Sequence, residues 1–144
     1  FQAKAQEKGL TMTIQSPEDL PLLYLDIPCL RQVLLNLGGN AIKFTKEGGV
    51  SLRVEFNGLD GDFGVLTLAI ADTGIGVKPE YREKIFEPFV QEDTVRGGRI
   101  YEGTGLGLSI SYGIVQQHAG SLTACNLPGG GARFVLELPL AGMP

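Results

Sequence analysis

The 144 residues carry 16 acidic and 12 basic side chains, a formal charge of −4, and a hydrophobic share of 43%, enough for one core of ordinary domain size. The bases form no stripe that would neutralise a phosphate backbone, which argues against nucleic acid as a partner. No apolar run approaches the roughly 20 residues that span a bilayer, and the opening FQAKAQEKG lacks the apolar core of a signal peptide. The chain is expected to be soluble and excised from something longer. Cys29 and Cys125 lie far apart in apolar surroundings without metal-ligand spacing, as expected of buried bystander thiols in a reducing intracellular compartment.

Residues 1–8 predict the end of a helix closed by Gly9, and residues 10–15 alternate apolar and polar side chains as an edge strand does. Residues 16–21 form a turn-rich connection. Asp26 then offers an N-cap with Pro28 in the first turn, and Leu30, Val33, Leu34, Leu37, Ala41 and Phe44 recur at helical spacing to about Thr45. Beyond the turn at Glu47, Gly48 and Gly49, VSLRVEF (50–56) and VLTLAIA (65–71) predict paired strands, joined by a loop over 58–64. Residues 79–85 suit one short helix. Residues 87–103 make a long polar, glycine-containing loop, and a connection of that length usually serves function or moves. Residues 106–118 predict a helix stopped by Gly120, and residues 121–126 and 132–138 a final hairpin across PGGG. Helices and strands are thus mixed without a strict βαβ alternation, and there is no internal repeat.

Four stretches carry the chemistry. In NLGGNAIKF, at about 100° per residue, Asn36, Asn40 and Lys43 fall within roughly 60° of one another beside the leucine stripe. Such a face is often only solvated. Gly38 and Gly39, however, each cost about 1 kcal/mol against alanine in a helix interior, easier to understand if something approaches the backbone closely. Asparagine supplies a hard neutral oxygen suited to Mg²⁺, and the lysine a cation for phosphates. In ADTGIG, Asp72 stands where the backbone turns on Gly74 and Gly76; Pro79 occupies the place that a dinucleotide-binding motif would give to its helix. The carboxylate either forms the turn through its own hydrogen bond or receives an exocyclic amine such as N6 of adenine, whereas the guanine carbonyl would meet it acceptor to acceptor.

EGTGLGLSI sets Gly103, Gly105 and Gly107 at the mouth of a helix, where free N–H groups and the positive dipole end favour an anion such as phosphate. No lysine follows as in a P-loop, so Lys43 is the candidate cation; a flexible hinge is the plainer reading. IFEPF places Phe86 and Phe89 ahead of the long loop, either as core or as anchors of a segment closing over a nucleotide. Arg96 and Arg99 in that loop either reach phosphates or stay solvated.

In order and spacing, NLGGNAIKFT, DTGIG, IFEPF and GTGLGLSI resemble the asparagine, first glycine, phenylalanine and second glycine boxes of the catalytic, ATP-binding domain of sensor histidine kinases, over nearly the whole chain. The resemblance implies an α+β Bergerat fold, a two-layer sandwich whose mixed sheet is covered on one face by about three helices, with ATP between the helices and a mobile lid. It implies Asn40 as the principal Mg²⁺ ligand assisted by Asn36, Lys43 on phosphate, and Asp72 on the adenine amine. Gly74 and Gly76 would let the backbone approach the base, Phe86 and Phe89 would seat the lid, and Gly103, Gly105 and Gly107 would form hinge and phosphate cradle. Phe44, Ile75, Thr104, Leu106 and Leu108 complete the implied nucleotide site. The double glycine at 38 and 39 departs from the family pattern, in which larger residues are common there.

Members of this family pass the γ-phosphoryl to a histidine on a separate helical dimerisation domain and thence to a response regulator aspartate. His118, the one histidine here, sits in a last helical turn before Gly120, the place of a capping or packing residue. This chain is therefore expected to bind Mg-ATP without phosphorylating itself. Residues 1–8 would end the link from the dimerisation helices, 9–140 would be the catalytic domain and 141–144 a tail, within a cytoplasmic part of a larger, dimeric sensor. The ATPase clamps of chaperones, type II topoisomerases and mismatch-repair proteins share the boxes but carry a glutamate as general base where Asn36 stands, and an amide cannot take that proton. A silent adaptor would be expected to lose box residues, and none is lost.

Overall fold

The computed structural model describes residues 2–21, 23–58, 63–78, 84–87 and 107–141. The short helix α1 (Gln2–Glu7) closes at Gly9, whose φ of +72° only glycine adopts cheaply, and leads into the edge strand β1 (Thr11–Gln15). The long helix α2 (Ile27–Phe44) starts where local chemistry dictates: the Asp26 carboxylate accepts from the Cys29 backbone N–H at 3.1 Å, and Pro28 lies in the first turn. β2 (Gly49–Gly58) and β3 (Phe63–Asp72) pair antiparallel from Val50↔Asp72 to Gly58↔Gly64. α3 (Gly107–Gln117) precedes the hairpin of β4 (Ser121–Asn126) and β5 (Ala132–Ala141).

The sheet order is β1-β2-β3-β5-β4, with β1 parallel to β2 and every other pairing antiparallel, a mixed five-stranded sheet. Period two decides what faces the helices: along β3, Leu66, Leu68, Ile70 and Asp72 are buried while the residues between them are half-buried. Against that face α2 sets Val33, Leu37 and Ala41 and α3 sets Val115, and Ala5 of α1 joins the same cluster. The result is the α+β sandwich expected.

Of the short helix expected over 79–85, only Lys84 and Ile85 are described, in a 3-10 turn at Lys84–Phe86, and residues 79–83 lie outside the described residues. Two local expectations are corrected. α3 ends one residue sooner than Gly120 implies: Ala119 takes the left-handed conformation, φ +59°, and Gly120 is needed because a Cβ there would stand 2.3 Å from the Glu137 carbonyl oxygen. β5 runs on to Ala141 through Pro139, which a strand interior rejects. Here β4 stops opposite Glu137, so past that point one side of β5 has no partner to be denied an N–H.

Candidate functional site

The stripe Val33, Leu37, Ala41 and Thr45 turns α2 toward the sheet, and its neighbours Asn36, Asn40 and Lys43 are each half-buried at its margin. Asn36 is committed: its Nδ2 donates to the Gly107 carbonyl at 3.1 Å and to Ser111 Oγ at 3.0 Å, and its Oδ1 accepts from Gln32 Nε2 at 3.2 Å. Ser111 is fully buried, so this amide fastens the first turn of α3 to α2. Among the described residues no hydrogen-bond partner reaches the Asn40 amide. Lys43 Nζ lies 5.9 Å from the Phe44 ring centroid. Gly39 has no described atom within 4 Å of where a Cβ would stand, so packing among the described residues does not demand it and the backbone there is open to approach.

Asp72 ends the core-facing line of β3 and is 6% exposed. Its Oδ1 accepts from the Gly74 N–H at 2.8 Å and from the Ala132 N–H at 3.3 Å, while no described donor reaches Oδ2. Burial pushes its pKa up, opposed by those two N–H groups. The turn after it is pressed on α2: a Cβ on Gly74 would stand 2.4 Å from the Phe44 carbonyl oxygen. Beyond it Ile75 is 57% exposed, and Gly76 takes φ +74°. Gly107 opens α3, where a Cβ would lie 3.8 Å from Asn36 Cγ, and Leu108 packs against the core. Phe86 stacks on Tyr112 of α3 with ring centroids 5.2 Å apart and meets Phe134 of β5 edge-on at 6.3 Å.

The described parts of all four stretches therefore gather about α2 and α3: Asp72 and Gly74 at the C-terminal end of α2, Gly107 on Asn36, Phe86 on α3. Phe89, Arg96, Arg99, Gly103, Thr104, Gly105 and Leu106 lie outside the described residues. A surface depression of about 510 Å³ between the ends of β1 and β2, lined by Gln15, Arg53 and Glu55 among others, contains none of the motif residues.

Three supports escape a motif reading. Asn126, at the end of β4, grips Val77 twice, accepting from its N–H at 2.7 Å and donating to its carbonyl, and so holds the loop beyond Gly76. Thr73 Oγ1 donates to the Glu47 carbonyl at 2.9 Å and accepts from the Gly49 N–H at 3.0 Å, tying that loop to the turn before β2. Gly131, φ +92°, is more than a hairpin residue: any Cβ there would strike the Asp72 carbonyl. The only sequence signal for it was a third glycine in a hairpin that two would serve.

Residues 25–142 match the family described as histidine kinase-, DNA gyrase B-, and HSP90-like ATPase. The sensory/regulatory protein RpfC of Xanthomonas campestris pv. campestris is 44% identical over 143 residues, 98% of this chain and 20% of that protein. The autoinducer 2 sensor kinase/phosphatase LuxQ of Vibrio harveyi is 37% identical across 92% of this chain and 16% of its own length. The aerobic respiration control sensor protein ArcB of Escherichia coli K12 is 35% identical across 94% and 17%. The chain thus spans a fifth or less of these relatives. Among solved structures, full-length ShkA in complex with AMPPNP superposes with a TM-score of 0.82 at 38% identity, over 98% of this chain and 28% of that one. The nucleotide-free catalytic domain of the histidine kinase ThkA gives 0.71 at 28% identity, over 96% and 86%. With its fold, its gathered motifs and these likenesses, the chain belongs to the histidine kinase-, DNA gyrase B- and HSP90-like ATPase family, as an ATP-binding catalytic domain of the sensor histidine kinase kind.

Proposed function

We propose that this domain binds Mg-ATP between α2, the turn after β3 and the start of α3, and donates the γ-phosphoryl to a histidine on a separate helical dimerisation domain, for relay to a response regulator aspartate. The observation that carries this reading is Asp72: a buried carboxylate fixed through one oxygen by two backbone N–H groups, with the other oxygen left without a described donor. That oxygen accepts the adenine amine, and Gly74 and Gly76 keep the surrounding backbone low enough for the base to enter, with exposed Ile75 and half-buried Phe44 beside it.

The Asn40 amide, half-buried and without a described partner, fits Mg²⁺, a hard ion that keeps most of its waters and takes its other ligands from phosphates. Asn36 fits less well, since its nitrogen holds α3 and its oxygen already accepts from Gln32. Mg²⁺, when bound, offsets charge on the phosphates. Lys43 adds a cation, the start of α3 at Gly107 and Leu108 offers the positive end of a helix, and the segment with Gly103, Thr104, Gly105 and Leu106 completes the phosphate cradle. Phe86, anchored on Tyr112, and Phe89 seat the lid that keeps water out. Asn36 cannot act as a general base, so attack by water is slow and transfer to a partner histidine is favoured.

Residues 1–8 would join residues 9–140 to the dimerisation helices, and the assembled sensor would work as a homodimer with this domain in the cytoplasm. Competition between ATP or GTP and a fluorescent adenine nucleotide tests the assignment. ATP is expected to displace the probe at least tenfold more readily than GTP, and Asp72→Asn to lose that preference; a variant that discriminates as well as the wild type would sink the role of Asp72.

A further inference from the structure

At the opposite end of the helix pair, three metal-ligating side chains meet that lie 92 residues apart at the extremes, from Asp26 to His118. Asp26 caps α2, Cys29 lies in its first turn, and His118 follows the last residue of α3. With a rise of about 1.5 Å per residue, Asp26 lies roughly 21 Å along α2 from Asn40, far from the nucleotide site proposed above.

The helix backbones aim each side chain. Asp26 Oδ1 accepts from the Cys29 N–H at 3.1 Å, which leaves Oδ2 facing His118. His118 Nδ1 lies 2.8 Å from the Ile114 carbonyl oxygen; a carbonyl only accepts, so Nδ1 carries the proton and Nε2 of the neutral ring presents a lone pair. That lone pair lies 3.6 Å from Asp26 Oδ2. Two acceptors so placed need a proton on Nε2 or a cation between them. The Cys29 sulfur is the third group, and the three ligand atoms all lie within 4.8 Å of one another. A histidine with its far nitrogen bonded to a backbone carbonyl, and a carboxylate with its far oxygen bonded to a backbone N–H, have the outer support that metal ligands require.

We propose that Asp26, Cys29 and His118 bind a borderline-soft divalent transition-metal ion, zinc being the best match, which fastens the start of α2 to the end of α3. A sulfur, nitrogen and oxygen donor set suits zinc and is foreign to Mg²⁺ and Ca²⁺. Bonds of about 2.0–2.3 Å bring ligand atoms to within roughly 3.3–3.8 Å of one another, a closure of roughly 1 Å that side-chain rotation supplies. An adjoining cavity of about 60 Å³ leaves room for water as a fourth ligand. The partly exposed Asp26 and His118 side chains give the ion a way in from solvent. The Cys29 thiol binds the ion as thiolate, and its proton leaves to solvent.

Titration of the 144-residue chain with Co²⁺, followed by absorption, tests the site, because only thiolate coordination produces the near-ultraviolet sulfur-to-cobalt band. The expected result is a band that saturates at about one Co²⁺ per chain and is abolished by Zn²⁺ competition. Cys29→Ser should lose it, Cys125→Ser should keep it, and His118→Ala should weaken Co²⁺ binding about tenfold or more. Asp26→Asn retains a helix cap and should also bind more weakly. Absence of the band, its persistence in Cys29→Ser, or an affinity indifferent to His118→Ala would each overturn the proposal and leave a plain Asp26–His118 ion pair.

Discussion

In its proposed role Asp72 trades stability for binding. Its place on the core-facing line of β3 puts a carboxylate under the helices at 6% exposure, and burial raises its pKa despite the N–H groups of Gly74 and Ala132. A raised carboxyl pKa means that the folded state binds the proton more tightly than the unfolded chain does. Stability from this group is therefore fully present below the ordinary aspartate pKa and is lost as pH rises through the raised one. At neutral pH Asp72→Asn should raise the melting temperature of the nucleotide-free domain, and the gain should shrink as pH falls toward the carboxylate range; scanning calorimetry at several pH values would read this, and a destabilised variant would contradict it. Such a gain with loss of adenine preference is the trade expected of a binding residue. The place of Asp72 at the end of β3 was legible from the predicted strand before it and the glycines after it, whereas its burial on the core-facing line was not read. Asn126 was not, because its contact with Val77 spans 49 residues and a strand-end asparagine has many ordinary uses.

At the scale of elements, α2 ended almost where its sequence implied, because Asp26, Pro28 and the leucine stripe are local signals. What holds its other end is not local. Lys8, just past α1, reaches across 34 residues to donate to the Ile42 carbonyl at 2.6 Å, and also to that of Lys43 at 3.2 Å, both in the last turn of α2. A cation here satisfies carbonyls that the helix leaves open and complements its dipole. Lys8→Met should destabilise the domain by about 0.5 kcal/mol, less at high salt. Denaturant melts at two salt concentrations would check it, and an effect that salt does not alter would remove the electrostatic part. Since that turn also carries Lys43 and leads to Phe44, on which Gly74 is pressed, the contact couples α1 to one wall of the proposed nucleotide site.

For the whole molecule, strand and helix types were readable from periodicity, whereas the sheet order was not: the parallel pairing of β1 with β2 and the insertion of β5 between β3 and β4 depend on contacts remote in sequence. The order of four motifs supplied what periodicity could not, since together they resembled one known arrangement. In its proposed function this fold makes a Mg-dependent ATP site from α2, the turn after β3 and the start of α3. Calorimetric titration of the chain with a non-hydrolysable ATP analogue, first with Mg²⁺ and then with chelator, measures it most directly. Saturable binding at one site that weakens at least tenfold on chelation is the expected result, with Asn40→Asp altering the Mg²⁺ dependence; binding indifferent to both chelator and Asn40→Asp, or none at all, would contradict the claim.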